Sequence, residues 1–150
     1  MRRILLIVAG FFFVSAATLG QERGFGIGII LGEPTGLSAK GWVSQENAFD
    51  AGLAWSFRHE GFFHIHGDYL WHFPNVIRSS EKFLVYTGIG GRLGARKHDA
   101  IFGIRVVGGI AFVPRGAPID IFVELAPVLN LAPATDLSGN GGIGVRFFLR

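Results

Sequence analysis

The sequence predicts an all-β fold, an eight-stranded antiparallel up-and-down barrel that crosses a membrane. Three observations carry the prediction: apolar residues alternate with small or charged ones, charge is scarce, and turn-forming clusters recur at intervals. The clearest alternation is I-D-I-F-V-E-L-A at 119–126. Successive side chains on a strand point to opposite faces. Ile119, Ile121, Val123 and Leu125 therefore form one aliphatic row, and Asp120 and Glu124 share the other face.

Residues 1–20 are set aside first. Arg2 and Arg3 precede an apolar run, Ile4 to Val14, followed by S-A-A-T-L-G. This is the layout of a secretory signal peptide cut near Ala17 or Gly20, leaving 21–150 as one mature domain. The chain has no cysteine, which excludes lipid anchoring after the apolar run, disulfides and thiolate chemistry. Without Arg2 and Arg3 the basic residues outnumber the acidic by one, so no nucleic-acid partner is expected. Charged residues are 17% of the chain, against roughly 25% in soluble domains. Together with 23 Gly and 15 Phe, this favours lipid as the surrounding medium.

No segment after residue 20 keeps a helical period beyond about two turns, and eight strands can be drawn in order. In 24–31, Phe25, Ile27 and Ile29 alternate with glycines until G-E-P-T turns the chain. In 36–43, Leu37, Ala39 and Val43 oppose Ser38 and Lys40, and S-Q-E-N follows. In 48–57, Phe49, Leu53, Trp55 and Phe57 oppose Asp50 and Ser56, and R-H-E-G follows. In 62–71, Phe63, Ile65, Tyr69 and Trp71 oppose His64, His66 and Asp68. In 82–93, Phe83, Val85 and Ile89 oppose Tyr86, Gly88, Gly90 and Arg92, before K-H-D. In 100–112, Phe102, Ile104 and Val106 oppose Arg105, before P-R-G-A-P. The opening stretch supplies 119–127. Finally, in 141–149, Val145, Phe147 and Leu149 oppose Gly144 and Arg146.

The apolar face is expected to meet lipid and the other face to line the lumen. Trp42, Phe122 and Phe148 break that rule by pointing inward. Outward aromatics fall at strand ends, with aliphatics between, as two interfaces require. Phe25, Phe49, Trp55, Phe57, Tyr69, Trp71 and Phe147 form this girdle. An N-terminus in the periplasm places 127–140 outside as the longest outer connection, with Pro127 and Pro133 limiting strand pairing. The long 72–81 connection then falls on the periplasmic side.

Lys40, Arg58, Arg92, Arg105 and Arg146 face Asp50, Asp68, Asp120 and Glu124. Buried charges need partners, and eight strands leave room only for side chains. The expected lumen is plugged by a charge network. The alternatives are a narrow pore for small solutes, or a lipid A-modifying membrane enzyme. For the enzyme, no serine stands near a histidine on an outward strand face. His64 and His66, with Asp68, have the spacing of a strand-borne zinc pair. No third ligand is identifiable, so they read as lumen fillers. No catalytic residue, metal or cofactor is assigned.

The last strand, G-I-G-V-R-F-F-L (142–149), resembles the carboxy-terminal recognition signal of outer-membrane barrels. Gly144, Phe147 and Leu149 fill its places, although the chain ends in Arg150 instead of an aromatic. E-P-T-G-L-S-A-K (33–40), H-I-H-G-D-Y-L-W-H (64–72), Y-T-G-I-G-G-R-L (86–93) and V-E-L-A-P-V-L-N-L-A-P-A-T (123–135) extend the likeness. With G-G-I-G-V-R-F-F (141–148), they resemble small outer-membrane β-barrel proteins with an OmpA-like eight-stranded barrel, over nearly the whole mature chain. The resemblance implies an integral outer-membrane barrel and no particular activity. The partners expected are outer-membrane lipids and the barrel-assembly machinery, with the barrel a monomer.

Overall fold

Eight strands follow one another along the chain: β1 (Phe25–Glu33), β2 (Thr35–Trp42), β3 (Asn47–Ser56), β4 (Phe62–Phe73), β5 (Lys82–Arg96), β6 (Asp99–Val113), β7 (Ile119–Ala132) and β8 (Asp136–Leu149). The computed structural model describes residues 24–33, 35–56, 62–96 and 98–149. The expected signal peptide, Phe57 and Arg58 lie outside the described residues. Each strand pairs antiparallel with the next, and β8 pairs with β1, closing the sheet. Closure suits a hydrocarbon solvent, where a free edge would leave backbone groups without partners.

One end of the barrel holds Phe25, Leu149 and the connections 43–46, 74–81 and 114–118; we call it the terminus end. At the opposite end, the mouth, β1 leads to β2, β3 to β4, β5 to β6, and β7 to β8, the last through 133–135. The turn after β2 is held by Ser44 and Asn47: Ser44 Oγ accepts the Asn47 backbone N–H at 3.0 Å. Gly116, at φ +78°, supplies the left-handed residue that turns P-R-G-A-P.

One expectation is overturned. The stretch 127–140 is not a long outer loop: β7 runs to Ala132, β8 begins at Asp136, and only 133–135 connect them. The reason lies in what proline removes. Pro127 lacks one N–H, which can serve only one of its two neighbours. Its pairing with Gly139 of β8 continues unbroken. The ladder to β6 instead lapses at this point, between the pairs Arg105↔Val128 and Gly108↔Leu125. The 72–81 connection also shortens to 74–81, because β4 continues to Phe73.

The wall is uneven in height. Strands rise about 3.4 Å per residue and tilt near 45° in small barrels. The 15-residue β5 and β6 therefore climb roughly 36 Å, and the 8-residue β2 roughly 19 Å. Both faces follow the alternation. Along β7 every second residue from Asp120 to Asn130 is buried, while Ile121, Val123, Leu125 and Leu129 are exposed.

Candidate functional site: the charged lumen

The strand register brings the inward charges together. Lys40 lies opposite Asp50, Asp50 opposite Asp68, and Asp120 opposite Arg146 in adjacent pairs. Glycine makes room for the large side chains. Gly90 stands opposite Arg105 and beside the Asp68 carboxylate, and a Cβ at 90 would collide with that carboxylate.

At the terminus end apolar side chains cluster inside the lumen. Trp42, Ala48, Leu70, Leu84 and Ala111 are buried together, with Val113 and Phe148 packed against them. Lys40 rests on this layer, its Nζ 4.5 Å from the Trp42 ring centroid and 5.3 Å from that of Tyr86. Lys40 Nζ also donates to His72 Nε2 at 2.8 Å. His72 must then carry its proton on Nδ1, which lies 2.9 Å from the Glu46 carbonyl and donates to it. A loop carbonyl outside the lumen thus orients a lysine inside it.

The middle of the lumen is ionic. Arg146, only 1% exposed, donates from Nε to Ser38 Oγ at 2.9 Å. Its Nη1 reaches Asp120 Oδ2 and its Nη2 reaches Asp50 Oδ2, each at 3.4 Å. The guanidinium lies over Phe122, 3.7 Å from the ring centroid, so the inward aromatic serves as a platform for the cation. Lys40 Nζ is 3.9 Å from the same Asp120 oxygen. Arg105 Nη2 lies 3.5 Å from Glu124 Oε1, and the other Glu124 oxygen accepts the Tyr86 hydroxyl at 3.0 Å. Arg105 Nε is 3.0 Å from Asp68 Oδ1, a charge contact too bent to count as a hydrogen bond.

Towards the mouth the partners turn neutral. Arg92 donates to Asn130 Oδ1 at 2.7 Å, Ser138 Oγ at 3.1 Å and Asn140 Oδ1 at 3.4 Å. No carboxylate forms a close ion pair with Arg92 among the described residues. Above it opens a cavity of about 270 Å³, lined by Glu33, Ser56, Phe62, His64, Asp136 and Asn140 among others. Ser56 Oγ donates to the Glu33 carboxylate at its rim.

Eight of the nine residues assigned to the charge network are therefore found buried in one lumen, and Arg58 lies outside the described residues. Sequence reasoning did not include Ser38, His72, Tyr86, Asn130 and Asn140 in that network. Their signal was present in the strand period, since each sits an even number of residues from a recognised inward group. His64 is fully buried and His66 half-buried.

Of the girdle, Phe25, Phe49, Trp55, Trp71 and Phe147 are exposed, and Tyr69 half-buried. Phe49 and Trp71 each meet Tyr69 edge-on, with centroids 4.9 Å apart, and Asn47 Nδ2 donates to the Tyr69 hydroxyl at 2.8 Å. In the last strand, Phe147 and Leu149 point outward while Gly144 faces the lumen beneath the Phe122 ring. Packing alone requires glycine at 144.

A scan against protein-family models finds no match, and a search of curated proteins finds none. Among solved structures, the crystal structure of Neisserial surface protein A is similar in fold, with a TM-score of 0.54 over 83% of this chain and 93% of that one. Sequence identity is 12%, so the likeness is one of fold, that of the eight-stranded transmembrane-type barrel.

Proposed function

We propose that the chain is an integral outer-membrane barrel with a closed lumen and a structural or interaction role at the membrane. The observation that carries this reading is the pairing of opposite environments across one wall. Arg105, Arg146 and Lys40 are each 1% exposed on the inside, while Ile27, Val123 and Phe147 are about half exposed on the outside. A water-facing barrel would reverse that order. In this reading Gly144, Phe147 and Leu149 also serve assembly, lipids surround the girdle, and the barrel works as a monomer. The surface-protein name of its structural neighbour agrees with a role at the cell envelope.

Planar-bilayer recording tests closure. The refolded protein is expected to give no conductance above leak, and reproducible single-channel steps would replace the closed barrel with a pore. Membrane fractionation tests location: the protein should need detergent for release and shift in SDS gels on heating. A narrow pore has one observation in its favour, the mouth cavity that descends as far as His64 and Arg92. What favours closure is that below that depth the lumen holds the ionic and apolar layers.

A further inference from the structure

His66 and Asp68 share one face of β4 with His64, and the sequence identifies no third ligand to join His66 and Asp68. The fold supplies one from the next strand. Asp50 stands directly opposite Asp68 in the β3–β4 register, and one donor atom from each of Asp50, His66 and Asp68 falls within 4.8 Å of the others.

Two carboxylates directly opposite on a strand pair repel each other. Each is held by one guanidinium through one oxygen: Arg146 Nη2 lies 3.4 Å from Asp50 Oδ2, and Arg105 Nε lies 3.0 Å from Asp68 Oδ1. The remaining oxygens, Asp50 Oδ1 and Asp68 Oδ2, have no hydrogen-bond partner, and neither does His66 Nδ1. Asp50 is 5% and Asp68 2% exposed, so with both carboxylates ionised these lone pairs are buried without a donor. Buried polar atoms of this kind call for an explanation. Space has been made for the group: a Cβ at 52 would enter the His66 ring, just as one at 90 would enter the Asp68 carboxylate.

We propose that Asp50, His66 and Asp68 form a binding site for a divalent transition cation of the zinc class. One imidazole nitrogen and two carboxylate oxygens suit such an ion, whereas Mg²⁺ and Ca²⁺ seek six or more oxygens. Three protein ligands leave a fourth position open. Bonds of about 2.0–2.2 Å in a tetrahedron place ligand atoms about 3.4 Å apart, so the side chains draw in on binding. Arg105 and Arg146 stay on the outer carboxylate oxygens and orient the inner ones. The way in is from the mouth, whose cavity reaches His64, and the His64 ring is 5.7 Å from that of His66. The site does not depend on whether the lumen conducts.

The test is calorimetric titration of tag-free, detergent-folded full chain with Zn²⁺, with the Co²⁺ absorption spectrum as a second readout of nitrogen ligation. One Zn²⁺ per chain is expected, undisplaced by a large excess of Mg²⁺. D50N, H66Q and D68N should each weaken binding by at least about tenfold, with folding verified by the heat-dependent gel shift. H64Q should bind nearly as the native chain does. Absence of stoichiometric binding overturns the site, as does native affinity in folded H66Q or D50N. Loss in H64Q with retention in H66Q overturns it equally. Should one variant fail to fold, the other two and the Co²⁺ spectrum of the native chain still decide.

Discussion

The two ends of the lumen are built from different materials. At the terminus end Trp42, Leu70, Leu84 and Ala111 interdigitate as a small apolar core, and Lys40 lies across its aromatic rings. At the mouth, Arg92 is shared among two amides and a hydroxyl below an open cavity. Between them lies the Arg146–Asp50–Asp120 cluster, fully enclosed. The difference teaches that partners, more than exposure, set what each layer contributes: Arg92 is 5% and Trp42 6% exposed, yet one binds neutral amides under a cavity and the other packs in an apolar layer. The terminus end is packed like a protein interior, and the mouth opens into a cleft.

The largest expected effect comes from the layer where the two ends meet. Arg146→Met leaves Asp50 and Asp120 without their shared guanidinium, and removing one partner of a buried pair costs roughly 3–5 kcal/mol. The urea midpoint of the folded barrel in lipid should fall accordingly. Next is Leu70→Ala, which opens a cavity in the apolar layer and should cost roughly 2–4 kcal/mol in the same assay. Arg92→Ala at the mouth removes hydrogen bonds to neutral, hydratable partners and should cost only about 0.5–1.5 kcal/mol. A loss for Arg92→Ala equal to that for Leu70→Ala would erase the contrast between the ends. Smallest of all is the change in conductance of Arg92→Ala, expected to remain at leak if the lumen is closed as proposed, since the ionic and apolar layers lie beneath it. Steady current through this variant would show that the mouth residue alone is the barrier.

Much of this was readable before the fold was known, because a period of two is a local property. Asp120 and Glu124 could be placed on one face from eight residues of sequence, and both are buried. Who pairs with whom was not readable. Asp50 meets Asp68 and Arg146 through strand register and barrel closure, quantities that depend on all eight strands at once. The same limit hid the third donor beside His66 and Asp68. The neutral partners of Arg92 escaped notice because amides and hydroxyls do not stand out by charge. The error over 127–140 had another cause. Proline was read as ending a strand, whereas the missing N–H of Pro127 interrupts pairing with β6 alone and leaves the β8 side intact.

The uneven wall has a consequence for the membrane around it. A hydrocarbon core is about 30 Å thick and somewhat thinner in bacterial outer membranes. The tall flank of β5 and β6 matches or exceeds that span, and the flank at β2 falls short of it. In the outer-membrane setting proposed above, lipid beside the low flank compresses, at a fraction of a kcal/mol for each ångström of mismatch. In that setting the barrel is a wedge, thinning the bilayer on one side only and giving the molecule a preferred direction in the plane of the membrane.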